Sequence, residues 1–338
     1  MQSSNINGAL VLIDQEKAFD RIEINYIVTA LHRFGYGRHF IQWVKILYND
    51  IYSKVQANGK KTKQIHIHRC QTRMPPLPML LYIIGIEILL IKIQSDENVE
   101  GVKITNIDEH CKTFQHADDS THFITKDNSY TKIIKHYTQF GKASGALINH
   151  SKTEILFIGN WRGNHPGLPP EYIKTNVKIM GVHIGPDQKQ LNFDAITRKL
   201  NRHIQIWYNR YYTLLEKTQI AKTYLYNSIW QEFDHTDFEI HYLNKIERII
   251  MQYIWNNGIN KLPKYTLQKP QNQGGAGPNL RIKQLTNYQN RIKCLNSKPD
   301  YYWQGIYIFW FGTYLKNQKD IYHNNKLIKT FETTAVII

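Results

Sequence analysis

The sequence predicts an α+β fold, a strand-and-helix half followed by a mostly helical half. Three observations predict it. Up to about residue 190, short apolar or β-prone runs alternate with stretches of helical period. From about Phe193 onward the pattern becomes that of long amphipathic helices. The chain has 338 residues, more than one typical domain, so two subdomains are expected.

In chain order, Ala9 to Ile13 is a buried strand ending at Asp14. Asp20 to Arg33 reads as one helix, with Ile24, Ile27, Val28 and Leu31 at helical spacing and Gly35 stopping it. Phe40, Trp43, Val44 and Leu47 repeat that spacing in a second helix. Tyr52 to Ala57 and Gln64 to His68 flank Asn58-Gly59, the strongest short hairpin signal. A Pro-rich segment, Met74 to Pro78, opens an apolar helix reaching about Ile93. Val102 to Ile104, Thr113 to His116 and His122 to Ile124 read as strands. The pair Asp118-Asp119 then falls in a hairpin turn. Tyr130 to Phe140 is helical, and Glu154 to Ile158 and Lys178 to Ile184 are strands around a Gly- and Pro-rich loop. Ile246, Ile249, Ile250, Tyr253 and Ile254 mark one apolar helix face in the second half.

Composition narrows the function. Lys and Arg number 43 against 27 Asp and Glu, a formal charge of +16, which points to a polyanionic partner such as nucleic acid. Twenty-two Tyr, 13 Phe and 7 Trp exclude a disordered basic tail and supply surfaces for burial and base stacking. Three dispersed cysteines, Cys70, Cys111 and Cys294, give no disulfide framework and no zinc motif, and favour a reducing compartment. The N-terminus lacks a secretory pattern and no run reaches about 18 uninterrupted apolar residues. An intracellular location, nuclear or cytoplasmic, with no membrane span and no secretion, is expected.

Against that basic background the acids stand out. Asp118-Asp119 at a strand end, with Asp14 from another strand, can form a three-carboxylate cluster. Mg²⁺ prefers such oxygen donors, and two ions about 3.5–4 Å apart can serve an in-line phosphoryl displacement. The same acids before Ser120-Thr121 also fit a plain turn or helix start, where short acids cap free amides.

The motifs resemble those of reverse transcriptases from non-LTR (LINE-type) retrotransposons. Leu12-Ile13-Asp14-Gln15-Glu16-Lys17-Ala18-Phe19-Asp20 resembles their first catalytic motif, and His116-Ala117-Asp118-Asp119 their aromatic-Ala-Asp-Asp motif. Phe140 to Gly145 with Ile148 to Glu154 resembles the next motif, and Val177 to Val182 the strand after it. Trp207, Glu216-Lys217, Tyr253-Ile254-Trp255 and the segment from Gly274 to Leu280 are similar to the thumb and its connection. The similarity runs in order across roughly residues 9 to 290.

The resemblance implies a right-hand polymerase palm, an antiparallel sheet with helices over residues 1–190, followed by a helical thumb over 191–300. An aromatic-rich tail over 301–338 has no assigned role. It implies an RNA-directed DNA polymerase: attack of a primer 3′-hydroxyl on a deoxynucleotide, with RNA template, DNA primer and dNTP as partners. Asp14, Asp118 and Asp119 would hold two Mg²⁺, with Mn²⁺ as a substitute. Lys152 matches the lysine near the leaving pyrophosphate, a solvated surface lysine being the other reading. Phe19 matches the aromatic that crowds a ribose 2′-hydroxyl, against a plain core aromatic. Gln15, Phe19 and Arg73 fall to the nucleotide, with amides of Gln15 to Ala18 near the triphosphate.

The sequence also departs from the family. Where its helix-opening motif carries Gln-Gly, this chain has Arg73-Met74, a side chain where close backbone approach is expected. His116 replaces an aromatic. The expected upstream fingers, endonuclease domain and downstream Cys/His knuckle are absent from these residues, as in an element copy truncated at both ends and partly degenerate. The alternative reading is a catalytically inactive nucleic-acid-binding remnant. Its candidate surface is Arg198, Lys199, Arg202, Trp207, Tyr208, Arg210, Tyr211 and Tyr212.

Overall fold

The computed structural model describes residues 7–49, 51–66, 77–103, 110–159, 161, 167–208, 210–259, 262–263, 266 and 279–287. Arg73-Met74, Cys70, Cys294, Gly274 to Gly277 and the tail over 301–338 lie outside the described residues. Contacts divide the chain into two compact units, Met1–Lys174 and Thr175–Ile338.

The first unit is built on a five-stranded sheet. Its central strand, β1 (Gly8–Ile13), is apolar along its whole length because both of its edges and its inner face are covered. Two short helices follow, α1 (Ala18–Arg21) and α2 (Ile24–Arg33). The sequence predicts one helix here. The chain instead turns extended at Ile22 and Glu23, where the Glu23 amide donates to the Ser144 carbonyl at 2.9 Å and Ile22 drops into the core. In α3 (Arg38–Leu47) the buried pair is Ile41 and Val44, whereas Trp43, expected on the same face, is 64% exposed. Four two-residue strands, β2 (Tyr52–Ser53), β3 (Gln56–Ala57), β4 (Lys60–Lys61) and β5 (Ile65–His66), form the expected hairpin. Its turn residues Asn58 and Gly59 both have positive φ, the conformation such a turn requires.

Helix α4 (Leu77–Ser95) is apolar on every side. It is long and apolar enough to cross a membrane by length and composition alone. Eight of its residues, Tyr82, Ile86 and Leu89 among them, are nevertheless buried within this unit. Strands β6 (Val102–Lys103) and β7 (His110–Cys111) pair with each other. β8 (Thr113–His116) and β9 (Asp119–Ile124) then make a tight hairpin. Helix α5 (Asp127–Ser144) and strands β10 (Glu154–Ile158) and β11 (Ile173–Lys174) complete the unit. The sheet order is β11-β10-β1-β9-β8, antiparallel except for the parallel β10–β11 pair. Cross-strand partners share a face, so Ala9, Val11 and Ile13 join Ile124 and Ile155 against the helices. Each buried branched side chain there contributes roughly 1.5–3 kcal/mol.

The second unit opens with a hairpin, β12 (Val177–Ile179) and β13 (Val182–Ile184), rather than the one strand predicted. Met180 and Gly181 at its tip both have positive φ. Helices α6 (Gln188–Tyr208), α7 (Leu214–Ile220), α8 (Trp230–His235) and α9 (Ile240–Ile254) follow, with a π-helical turn at Ala221–Tyr226. Ile196 and Leu200 of α6 share a core with Ile246 and Ile250 of α9. Buried Asn192 is fully used: its side chain bonds both backbone groups of His183 and the Thr236 hydroxyl, tying the hairpin to two helices. Thr213 and Glu216 form a reciprocal capping box that starts α7.

Candidate active site

The site lies where β1 ends. The register pairs Ile13 with Ser120, so one further step sets Asp14 across from Asp119. The β8–β9 turn places Asp118 beside it: His116 pairs with Asp119, and Ala117-Asp118 are the two turn residues. Ala117 has φ +53°, and Lys17, on the other loop of the site, has φ +48°. Neither is glycine, so each costs about 1–2 kcal/mol, strain of the kind that gathers at functional sites.

A cleft of about 290 Å³ opens here, lined by Asp14, Gln15, Glu16, Lys17, Ala18, Phe19, Asp20, Asp118, Asn149 and Lys152. A larger groove of about 620 Å³ runs between α4 and the β7–β8 segment, but Glu87 is its only carboxylate, so the acid chemistry is not there. Lys152 stands 3.7 Å from the Asp14 carboxylate and is otherwise well exposed. The loop after α5 is stitched to the end of β1: the Glu16 amide donates to the Leu147 carbonyl, and the Asn149 amide to the Asp14 carbonyl. This corrects one expectation. The Glu16 amide is already bonded within the protein and is not available to a triphosphate.

The acids feel one another. Burial, then the carboxylates of Asp118 and Asp14, push the Asp119 carboxyl above the ordinary carboxylate range, against the opposing pull of His116 and Lys152. The donor set fits a hard divalent ion in chemistry, three carboxylates at one strand end. Its spacing is not closed: among the described residues no three Asp, Glu, His or Cys side chains stand together as a metal-ligand group. Like charges so placed repel one another, and Lys152 beside Asp14 offsets part of that repulsion.

Phe19 packs on Tyr82 with ring centroids 4.7 Å apart. Tyr82 is wholly buried, and its hydroxyl has no hydrogen-bond partner among the described residues. Burial, and after it Tyr137 and the three aspartates, raise its pKa far above that of a free tyrosine. Asn149, in the cleft lining, and Tyr82, buried behind Phe19, are residues to which sequence reasoning gave no role. Tyr82 carries no sequence signal of its own, because in an all-apolar helix its position reads as core. Gln15 was expected through its backbone. The residue is 5% exposed, and both side-chain amide atoms lack a hydrogen-bond partner among the described residues. Arg73 lies outside the described residues.

Beneath the sheet runs a buried polar chain. His122 of β9 accepts or donates at Nδ1 to the Thr113 hydroxyl and at Nε2 to the Tyr137 hydroxyl, 2.9 Å each. Its ring is fully buried, and desolvation pulls its pKa down to about 3. The Ser120 hydroxyl donates to Gln115 at 2.6 Å, and Gln115 in turn donates to the Ala117 carbonyl at 2.6 Å, bracing the strained turn from below.

The family model for reverse transcriptase (RNA-dependent DNA polymerase) matches residues 4–184. The Transposon TX1 uncharacterized 149 kDa protein of Xenopus laevis is 22% identical over 275 residues, 77% of this chain and 21% of that protein. The chain thus spans about a fifth of the length of that relative. A solved structure of telomerase from Candida albicans, in complex with a fragment of telomeric RNA, is similar at a TM-score of 0.42 and 9% identity. That similarity covers 96% of this chain and 49% of the other.

Proposed function

This chain belongs to the reverse transcriptase family, and we propose that it is the RNA-directed DNA polymerase domain of a non-LTR, LINE-type retroelement. The reaction is transfer of a nucleotide from a dNTP to the 3′-hydroxyl of a DNA primer, templated by RNA. The carrying observation is the hairpin turn that sets Asp118 and Asp119 beside Asp14 at the mouth of a cleft holding Phe19 and Lys152.

Each residue then has a task. Asp14, Asp118 and Asp119 would hold two Mg²⁺, with Mn²⁺ able to substitute. Divalent ions bound there supply Lewis-acid stabilisation of the attacking and leaving oxygens. Burial first, and then the Asp118 and Asp14 carboxylates, raise the pKa of Asp119, and a bound cation would offset that crowding of negative charge. Lys152 offers a positive charge to the departing pyrophosphate. Phe19, held by Tyr82, presents its ring to the sugar and excludes a 2′-hydroxyl. Gln15 borders the same cleft, and Arg73 would serve the nucleotide's phosphates. The protein acts inside the cell, a reading supported by its sparse, dispersed cysteines.

The test is primer extension on a homopolymer RNA template with Mg²⁺ and with Mn²⁺, against an Asp118→Ala/Asp119→Ala double variant. Incorporation that disappears in the double variant supports the reading. Folded protein that binds primer-template yet incorporates nothing overturns it in favour of a binding remnant.

A further inference from the structure

The sheet and one helix of the first unit share an unfinished side. Strand β8 ends the five-stranded sheet, and among the described residues it pairs only with β9. The Phe123 amide donates to the Lys112 carbonyl, so Lys112, Phe114 and His116 turn their backbone groups toward β9. Thr113 and Gln115, between them, turn theirs outward as a row of donors and acceptors at a free edge. Sheet edges are commonly guarded by Pro or by charge, and from Thr113 to Gln115 this one carries neither.

The groove of about 620 Å³ follows this edge, with the C-terminal half of α4 as its other wall. The sheet leaves one face of α4 uncovered. Ile83 and Ile91 are 47% and 49% exposed, and Glu87 lies between them at helical spacing on the same face. Glu87 is exposed and makes no ion pair among the described residues. Lys112, across the groove, is already engaged: its ammonium donates to the Gln94 and Asp96 carbonyls at 2.8 Å each. Both shortages are met by one object, a polypeptide strand laid along β8. Its backbone would bond Thr113 and Gln115, and its alternate side chains would cover α4. Residues four apart on a helix rise about 6 Å, and alternate residues on a strand about 6.8 Å, so Ile83, Glu87 and Ile91 match three successive inward side chains. Chemistry sets their kind as apolar, cationic, apolar. A lipid surface has no such row of donors and acceptors to offer the edge.

We propose that the β8 edge is a docking site for an extended strand of a partner protein, carrying a Lys or Arg over Glu87 with apolar side chains over Ile83 and Ile91 to either side. The site goes beyond the polymerase reading and needs neither metal nor turnover.

The test uses the isotope-labelled full chain and the capped peptide Thr-Val-Thr-Lys-Thr-Val-Thr, whose pattern reads the same in either direction. Amide hydrogen exchange is followed by NMR. The outward Thr113 and Gln115 amides are expected to slow about tenfold or more at saturating peptide. The Phe114 amide, which faces β9, keeps its rate. Glu87→Lys and Ile91→Ser change exposed side chains, so both variants fold. Each is expected to weaken the peptide about tenfold. A peptide with Glu in place of its Lys is expected to bind Glu87→Lys and not the wild type. Unchanged exchange of Thr113 and Gln115 at millimolar peptide overturns the proposal. So does binding indifferent to the charge swap, protection that tracks protein concentration without peptide (the mark of a second copy), or protection by an RNA strand in place of the peptide. Asp118→Asn leaves peptide binding unchanged, so strand docking and primer extension succeed or fail separately.

Discussion

Acid should unfold this protein through His122 before it reaches the carboxylates. The ring is fully buried between Thr113 and Tyr137, and its pKa falls from 6.5 to about 3. In the unfolded chain the same ring takes a proton near pH 6.5. Between those two values the unfolded state binds one more proton than the folded state, so stability falls as pH falls. Above pH 6.5 the full contribution is present. At pH 5 the loss is about 2 kcal/mol, and the whole window down to pH 3 is worth roughly 5 kcal/mol at 1.36 kcal/mol per pH unit. Domains of this kind hold only about 5–15 kcal/mol in total. Asp96, whose carboxyl is held below its usual range by His136 and Asn98, loses its contribution only in more acid solution, so pH 5 separates the two. The assay is urea unfolding followed by circular dichroism at pH 7.5 and pH 5, for wild type and His122→Phe. The variant is less stable at pH 7.5, because Thr113 and Tyr137 lose a partner, but its dependence on pH should be shallower by about 2 kcal/mol. If both proteins lose the same stability between pH 7.5 and 5, the buried neutral imidazole is not what the structure holds.

Other consequences follow from the site. Asp119→Asn should raise the melting temperature while abolishing incorporation, since its carboxylate is disfavoured by burial and by Asp118 and Asp14; a lower melting temperature would contradict that electrostatic picture. Ala117→Gly relaxes a φ of +53° and should stabilise the fold by about 1 kcal/mol in the same urea assay, with reduced turnover as the Asp118 turn loosens. Phe19→Val should admit ribonucleotides, read as a fall in the ratio of kcat/KM for dNTP over rNTP; an unchanged ratio would leave Phe19 as a core aromatic packed on Tyr82.

Much of this architecture is written in local patterns. The apolar run Ala9 to Ile13, the Asn58-Gly59 turn and the Ile246 to Ile254 face each became the element their spacing implied, because one physical cause dominates each. The hairpin turn at Asp118 was also legible, since two β-prone runs flank it. What failed depended on distant residues. The break after α1 is set by Ser144, more than a hundred positions away, and no periodicity near Ile22 reports it. The exposure of Trp43 depends on what lies beside α3, which its own sequence does not encode. The buried role of Tyr82 and the His122 chain arise from α4 and α5 crossing under the sheet, and only the assembled core reveals them.

The double pairing of β1 also bears on how this sequence tolerates length change. Strand β10 pairs with β1 from Gly8 to Leu12 and β9 from Ala9 to Ile13, so four of its residues are gripped on both sides. A one-residue slip would turn Asp14 to the opposite face and drag the apolar set out of the core. Insertion and deletion scanning should therefore find Gly8 to Ile13 nearly intolerant of any indel. The exposed Gln56 to Lys61 hairpin, which pairs only with itself, should accept several residues. The placement of the first acid is thus protected by ladder hydrogen bonds on two sides, independently of any selection on the aspartate itself.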